Sequence, residues 1–251
     1  MDPHHEQEPG GETPGVIEAA PALSRHIRFP GRALGDEPAP MLEGWIQVPG
    51  GGELYPGVVL CHANPAAGGS MDMKVMLALE EALAEAGFAT LRYNSRGVGD
   101  STGEMSKSAD RRLVVPEGAP ETEDVGAAVD FLGMQAGVDG DRLALVGHSF
   151  GGRISLAYMA SHVLEARVGA VVCIGLPVAW RNLEHLGQWP HPKLFVTGER
   201  DDFSPPAQLA EFVATLPEPK MIVTLKRTGH FFEGREHDLA ALVAGFLARV
   251  R

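Results

Sequence analysis

Residues 142 to 159, RLALVGHSFGGRISLAYM, constrain the fold more than any other stretch. The apolar run LALV stops at Gly147-His148-Ser149-Phe150-Gly151, and apolar residues then recur at helical spacing. A strand covered on both faces that feeds directly into a helix belongs to a layered sheet with helices on each side. Glycines two before and two after Ser149 remove side chains that would collide in so tight a turn. The serine hydroxyl is then forced out at the end of the strand. The helix that starts there aims its free N–H groups and the positive end of its dipole at the same point.

The rest of the chain repeats this alternation. HIRFPG and LEGWIQVPG read as two strands closed by Pro-Gly turns. GVVLCHANP is a strand, and MKVMLALEEALAEAG a helix with Met76, Leu79, Leu83 and Ala86 on one face and Gly87 at its end. FATLRYN is the next strand, and TEDVGAAVDFLG a helix with an inner stripe of Val125, Ala128, Val129 and Leu132. After the central strand and helix come strands VGAVVCIGLP and KLFVTG. The helix PAQLAEFVATL should face inward through Leu209, Phe212, Val213 and Leu216. Strand KMIVTLK and helix HDLAALVAGFLARV close the order. The expected class is α/β, one domain over residues 23–251, with no internal repeat. Ligands of such sheets bind beyond the carboxyl ends of the strands.

Residues 1–22, rich in Glu, Pro and Gly, read as a disordered arm. The arm is acidic and poor in apolar residues, so it resembles neither a signal nor a transit peptide, and the expected location is cytoplasmic. No apolar run is long enough to span a bilayer; the longest, near Val168 to Trp180, is broken by Pro177. A formal net charge of −12 argues against nucleic-acid or anionic-membrane partners. Cys61 and Cys173 each lie in an apolar run and read as buried thiols. No Cys/His spacing suggests a metal, and His4-His5 reads as a solvated pair.

A serine hydroxyl is a weak nucleophile until a base takes its proton, and an imidazole oriented by a carboxylate serves near neutral pH. On such a sheet the acid and then the histidine should follow the serine in sequence. KLFVTGERDDFSPP places Asp201 and Asp202 just after a strand, and KMIVTLKRTGHFFEG places His230 after the last one. Asp201, three residues after Gly198, is the favoured acid. One of the two aspartates is expected to cap the following helix. Gly229 and the phenylalanines after His230 suggest a buried, oriented ring. His148 cannot be the base, because consecutive side chains diverge at the turn; it should pack or hydrogen-bond beneath it.

Acyl transfer builds negative charge on the carbonyl oxygen, and N–H donors must meet it. The amide of Phe150 is one expected donor. The other lies in CHANPAAGGSMD, where Asn64 is favoured over Ala63. His62, Phe231, Trp180 and Trp189 are candidates for substrate contact. Only about 15 residues separate Pro177 from Lys193, too few for a large lid but enough for a short rim with Trp180, Leu183, Leu186 and Trp189. The loop SKSADRRLVVPEGAP matches no pattern and lies where it could shape access; Arg96 in SRGVGDS reads as a structural turn residue.

HANPAAGGSMDMKV, RYNSRGVGDSTGE, GHSFGG, GERDD and TGHFFEG together resemble the α/β-hydrolase superfamily, and within it small serine hydrolases akin to dienelactone hydrolase. They span roughly residues 40 to 250. The resemblance implies an eight-stranded, mainly parallel sheet without a large cap and a Ser149–Asp201–His230 triad. It also implies cofactor-free ester hydrolysis through an acyl-enzyme. Dienelactone hydrolases proper use a cysteine nucleophile where this chain has Ser149, which argues against that substrate. The expected function is hydrolysis of carboxylic esters with small or exposed acyl groups. The same residues would also serve a thioesterase, acyltransferase, peptidase or perhydrolase, or an idle fold could persist as a binding module.

Overall fold

The computed structural model describes residues 22–51, 53–106, 120–162, 167–178 and 189–250. Residues 1–21 of the expected N-terminal arm, with His4 and His5, residues 107–119 of the unmatched loop, and Trp180, Leu183 and Leu186 of the expected rim lie outside them.

Among the described residues, fourteen elements follow the expected alternation. The strands are β1 (Leu23–Pro30), β2 (Met41–Val48), β3 (Tyr55–Cys61), β4 (Ala89–Tyr93), β5 (Val138–His148), β6 (Val168–Ile174), β7 (Lys193–Gly198) and β8 (Lys220–Leu225). The helices are α1 (Lys74–Glu85), α2 (Pro120–Gly133), α3 (Phe150–Ser161), α4 (Pro206–Ala214) and α5 (Glu236–Val250), with one 3-10 turn at Pro65–Ala67. The strands form one eight-stranded sheet in the order β1-β2-β4-β3-β5-β6-β7-β8. The β1–β2 and β2–β4 pairs are antiparallel and all others parallel.

Period-two alternation sorts the strand side chains between two apolar layers, since both faces are covered. Val59, Cys61, Leu145, Val171, Cys173 and Phe195 join Val125, Val129, Ile154 and Leu209 from α2, α3 and α4 on one face. Val58, Leu60, Val146, Val172 and Val196 join Met76, Leu79, Leu83, Leu239 and Val243 from α1 and α5 on the other. Full burial of each Val- or Leu-sized side chain contributes about 1.5–3 kcal/mol, so the central strands hold the sheet rigid under its carboxyl edge. Both cysteines are free and buried. Among the described residues, no helix is long and apolar enough to cross a membrane.

Candidate active site

β5, near the middle of the sheet, ends in the tight turn its glycines anticipate. Ser149 stands at φ 54° and ψ −111°, left-handed backbone that L-residues enter only under strain. The turn closes because Gly147 and Gly151 carry no side chains. A Cβ on Gly147 would lie 2.3 Å from the carbonyl carbon of Gly151, and one on Gly151 would lie 2.0 Å from the Cys61 carbonyl oxygen. The Ser149 amide donates to the Ile174 carbonyl of β6 at 2.7 Å, fixing the turn to the neighbouring strand. Although Ser149 is the N-cap of α3, its hydroxyl does not cap the helix.

That hydroxyl meets the imidazole expected from the far side of the sheet. His230 Nε2 lies 2.9 Å from Ser149 Oγ, and His230 Nδ1 lies 2.9 Å from both carboxylate oxygens of Asp201. A carboxylate can only accept, so Nδ1 carries the proton and Nε2 keeps its lone pair toward the serine. Asp201 is fixed from its other side: its Oδ1 also accepts the amides of Phe203 and Ser204, each at 2.9 Å. The same aspartate therefore ties down its own loop and orients the histidine. Asp202 is exposed and does not cap α4; the N-cap there is Pro205, with no side-chain hydrogen bond. The expected division of labour between the two aspartates gives way because the turn folds Asp201 inward and brings prolines to the helix start.

Gly175, just after β6, makes room for this pair. A Cβ there would lie 3.1 Å from His230 Cε1 and Nδ1 and 3.3 Å from Asp201 Oδ2. Beneath the histidine, buried His148 donates from Nε2 to the backbone carbonyl of His230 at 2.9 Å, with the two rings 5.3 Å apart. Burial and the neighbouring His230 ring push its pKa down to about 4, so it is neutral. His148 holds the backbone that carries His230, beneath the turn as its sequence position implies.

The two donors expected for a carbonyl oxygen lie on either side of the turn in sequence, Phe150 at the start of α3 and Asn64 in the loop after β3. Phe150 is the first residue of α3, so its amide has no acceptor within the helix. The loop after β3 runs against the turn, since a Cβ on Gly151 would also lie 2.6 Å from the His62 carbonyl oxygen. In that loop the Asn64 side chain accepts from the Ala66 amide and its carbonyl from Ala67 and Gly69. Asn64 is thereby held rigidly.

Two expected contact residues are corrected. His62 is 1% exposed and both ring nitrogens are used within the protein. Ser95 N–H donates to Nε2 at 3.1 Å, so Nδ1 carries the proton and donates to the Ala63 carbonyl at 2.7 Å. Burial pushes its pKa down to about 4. A trans peptide points its N–H opposite its C=O, so His62, by fixing the Ala63 carbonyl, also fixes the direction of the Asn64 amide. Buried and with both nitrogens engaged, it braces the loop and presents almost no surface to the solvent side. Trp189 is 2% exposed and belongs to the apolar core that also includes Phe195, not to a rim. Lys193, at the start of β7, donates to the carbonyls of Trp189 and His191 and sits 5.4 Å from the Trp189 ring centroid, folding that segment inward.

Phe231 does stand at the surface, its ring 5.3 Å from that of His230. The sequence reading missed Phe203, whose ring lies 4.8 Å from His230 and is 58% exposed. Its signal was its place two residues after Asp201, in a loop at a strand's carboxyl end.

Known proteins resemble this chain in sequence or in fold. A 31.7 kDa uncharacterised protein from the traX–finO intergenic region of Escherichia coli is 32% identical over 188 residues, covering 73% of this chain and 53% of the relative. The chain thus spans about half the length of that relative. Among solved structures, an alpha-beta serine hydrolase homologue from Coxiella burnetii is 30% identical at a TM-score of 0.68, covering 89% of this chain and 96% of its own. XC6422 from Xanthomonas campestris, an a/b serine hydrolase without lid, superposes at a TM-score of 0.70 with 24% identity, covering 90% and 94% of the two chains. The family model for the alpha/beta hydrolase fold matches residues 56–185, from β3 through the Ser149 turn and past β6. With just over half its length inside that match, the chain belongs to the alpha/beta-hydrolase fold family.

Proposed function

We propose that this hydrolase cleaves carboxylic esters with small or exposed acyl groups through an acyl-enzyme on Ser149. The observation that carries the reading is the unbroken relay from Asp201 through His230 to Ser149 Oγ, every link 2.9 Å long. As Ser149 Oγ attacks the ester carbon, His230 Nε2 takes the hydroxyl proton, and Asp201 stabilises the imidazolium that forms. The amides of Phe150 and Asn64 receive the carbonyl oxygen as it becomes an oxyanion. His230 then returns its proton to the departing alcohol oxygen as the C–O bond breaks. Water, deprotonated by the same nitrogen, attacks the acyl-enzyme and releases the acid.

Nothing in these steps calls for a cofactor. The short connection between Pro177 and Lys193 supports an open site and a soluble small-molecule ester as substrate. Incubation with a fluorophosphonate probe tests the nucleophile: Ser149 is labelled in the native chain and Ser149→Ala is not. Equal labelling of both proteins refutes the assignment. Oxygen, sulfur and amide acyl donors with the same acyl group, assayed side by side, rank the ester reading against thioester or peptide cleavage. A p-nitrophenyl ester series should show activity falling as the acyl chain lengthens.

A further inference from the structure

The chain has ten phenylalanines, all among the described residues, and eight of them are buried or partly buried. The two that remain exposed, Phe203 and Phe231, are the two whose rings flank His230, at 4.8 and 5.3 Å. Leaving two large aromatic faces in water beside one imidazole forgoes burial that the other eight receive. Neither ring is needed to hold the histidine, which Asp201 orients through Nδ1 and His148 anchors through the backbone.

The sheet order fixes which part of a substrate they would meet. Of the two proposed carbonyl-oxygen donors, Phe150 follows Ser149 directly and Asn64 comes from the loop after β3, whereas Asp201, Phe203, His230 and Phe231 follow β7 and β8 on the opposite side of β5. The ester reading requires His230 Nε2 to give its proton to the leaving oxygen. The alcohol must then sit against His230, between or upon the two rings, with the acyl group directed elsewhere.

Resting on that reading, we propose that Phe203 and Phe231 form an alcohol-side subsite that selects esters of apolar, above all aromatic, alcohols. Two ring faces beside the leaving oxygen offer offset or edge contacts to an aromatic group and nothing to a polar one. The alcohol is present during acylation and gone before deacylation, so the preference appears in kcat/KM.

The test compares benzyl acetate with 2-methoxyethyl acetate, which share an acyl group and have alcohols of similar acidity. The readout is the ratio of their kcat/KM values, in which any general loss of activity cancels. The native enzyme should favour the benzyl ester. Phe203→Ala and Phe231→Ala should each lower the ratio about threefold, and the double variant about tenfold. Phe203→Tyr and Phe231→Tyr, which keep the ring, should retain it. A second ratio, benzyl acetate over benzyl butyrate, reads the acyl side and should not move. A benzyl preference that survives the double variant within twofold, or an acyl ratio that shifts as far, overturns the subsite. Turnover by the native enzyme without preference overturns the subsite alone, whereas no turnover of either ester sinks ester hydrolysis and the subsite together.

Discussion

Two buried polar clusters in this protein end differently. In the first, Asp201, His230 and Ser149 form a line that runs from a buried carboxylate to a hydroxyl on strained backbone. In the second, Arg96 gives its amide, Nε and Nη2 to Asp124, in a pair almost wholly removed from water. Beside it, Glu43 accepts from Asn94 Nδ2 and the Asp100 amide, and Ser101 Oγ takes the Glu43 amide and donates to the Asn94 carbonyl. Donors there meet acceptors within the protein, and the turn after β4 is locked. The first cluster ends on the Ser149 hydroxyl, whose proposed role is nucleophile, whereas the second closes on itself. Burial of charge is common to both, so burial alone does not mark a site; an outward-ending relay on a strained residue does.

The comparison breaks most sharply at the serine. Ser149→Ala should lower kcat by about 10⁶ while leaving the denaturation midpoint near that of the native chain. Retention of most activity with p-nitrophenyl acetate would end the distinction. Next is Asp201→Asn, which keeps an acceptor for the Phe203 and Ser204 amides but favours the wrong histidine tautomer. A loss of about 10⁴ in kcat is expected, against a change within about twofold for exposed Asp202→Asn.

The second cluster should respond the other way. Arg96→Ala leaves Asp124 buried without its cation, a loss of about 3–5 kcal/mol in urea unfolding, while the folded fraction keeps its kcat. A large fall in kcat with native stability would move Arg96 into the catalytic apparatus.

The smallest effect concerns His62 and His148, both buried and neutral with pKa values near 4. In the unfolded chain each titrates near 6.5. Between about pH 6.5 and 4 the unfolded state binds protons that the native state refuses. The stability each ring provides is therefore complete above 6.5 and lost as pH falls through 4, on the order of 3 kcal/mol per ring. Urea midpoints between pH 7.5 and 4.5 measure it, and His148→Gln should flatten the decline by about half.

How much of this was legible beforehand follows from the range of each interaction. The turn at Ser149 is local: Gly147 and Gly151 lie within two residues of it, and their spacing alone implies the reversal the structure contains. The order of strands and helices is likewise written in apolar periodicity, from Met76, Leu79 and Leu83 to Val125 and Val129. Asp201 and His230 could be named because the topology delivers strand ends to one edge in a fixed order.

His62 and Trp189 could not be assigned in the same way. Each is a polar-tipped ring near a strand end, and sequence position does not reveal whether such a ring faces solvent or the interior. His62 is turned inward by the Ser95 amide, 33 residues away, and Trp189 is drawn into the core with the ammonium of Lys193 beside it. Phe203 shows the converse, an apolar ring left outside because the Asp201 carboxylate takes its amide and bends the loop. The sequence by itself determined the sheet, the turn and the order of Ser149, Asp201 and His230 along the strand ends, because short-range sterics and periodic burial suffice for these. Only the tertiary structure decided which rings brace the site and which line it, because that choice depends on partners brought together by folding.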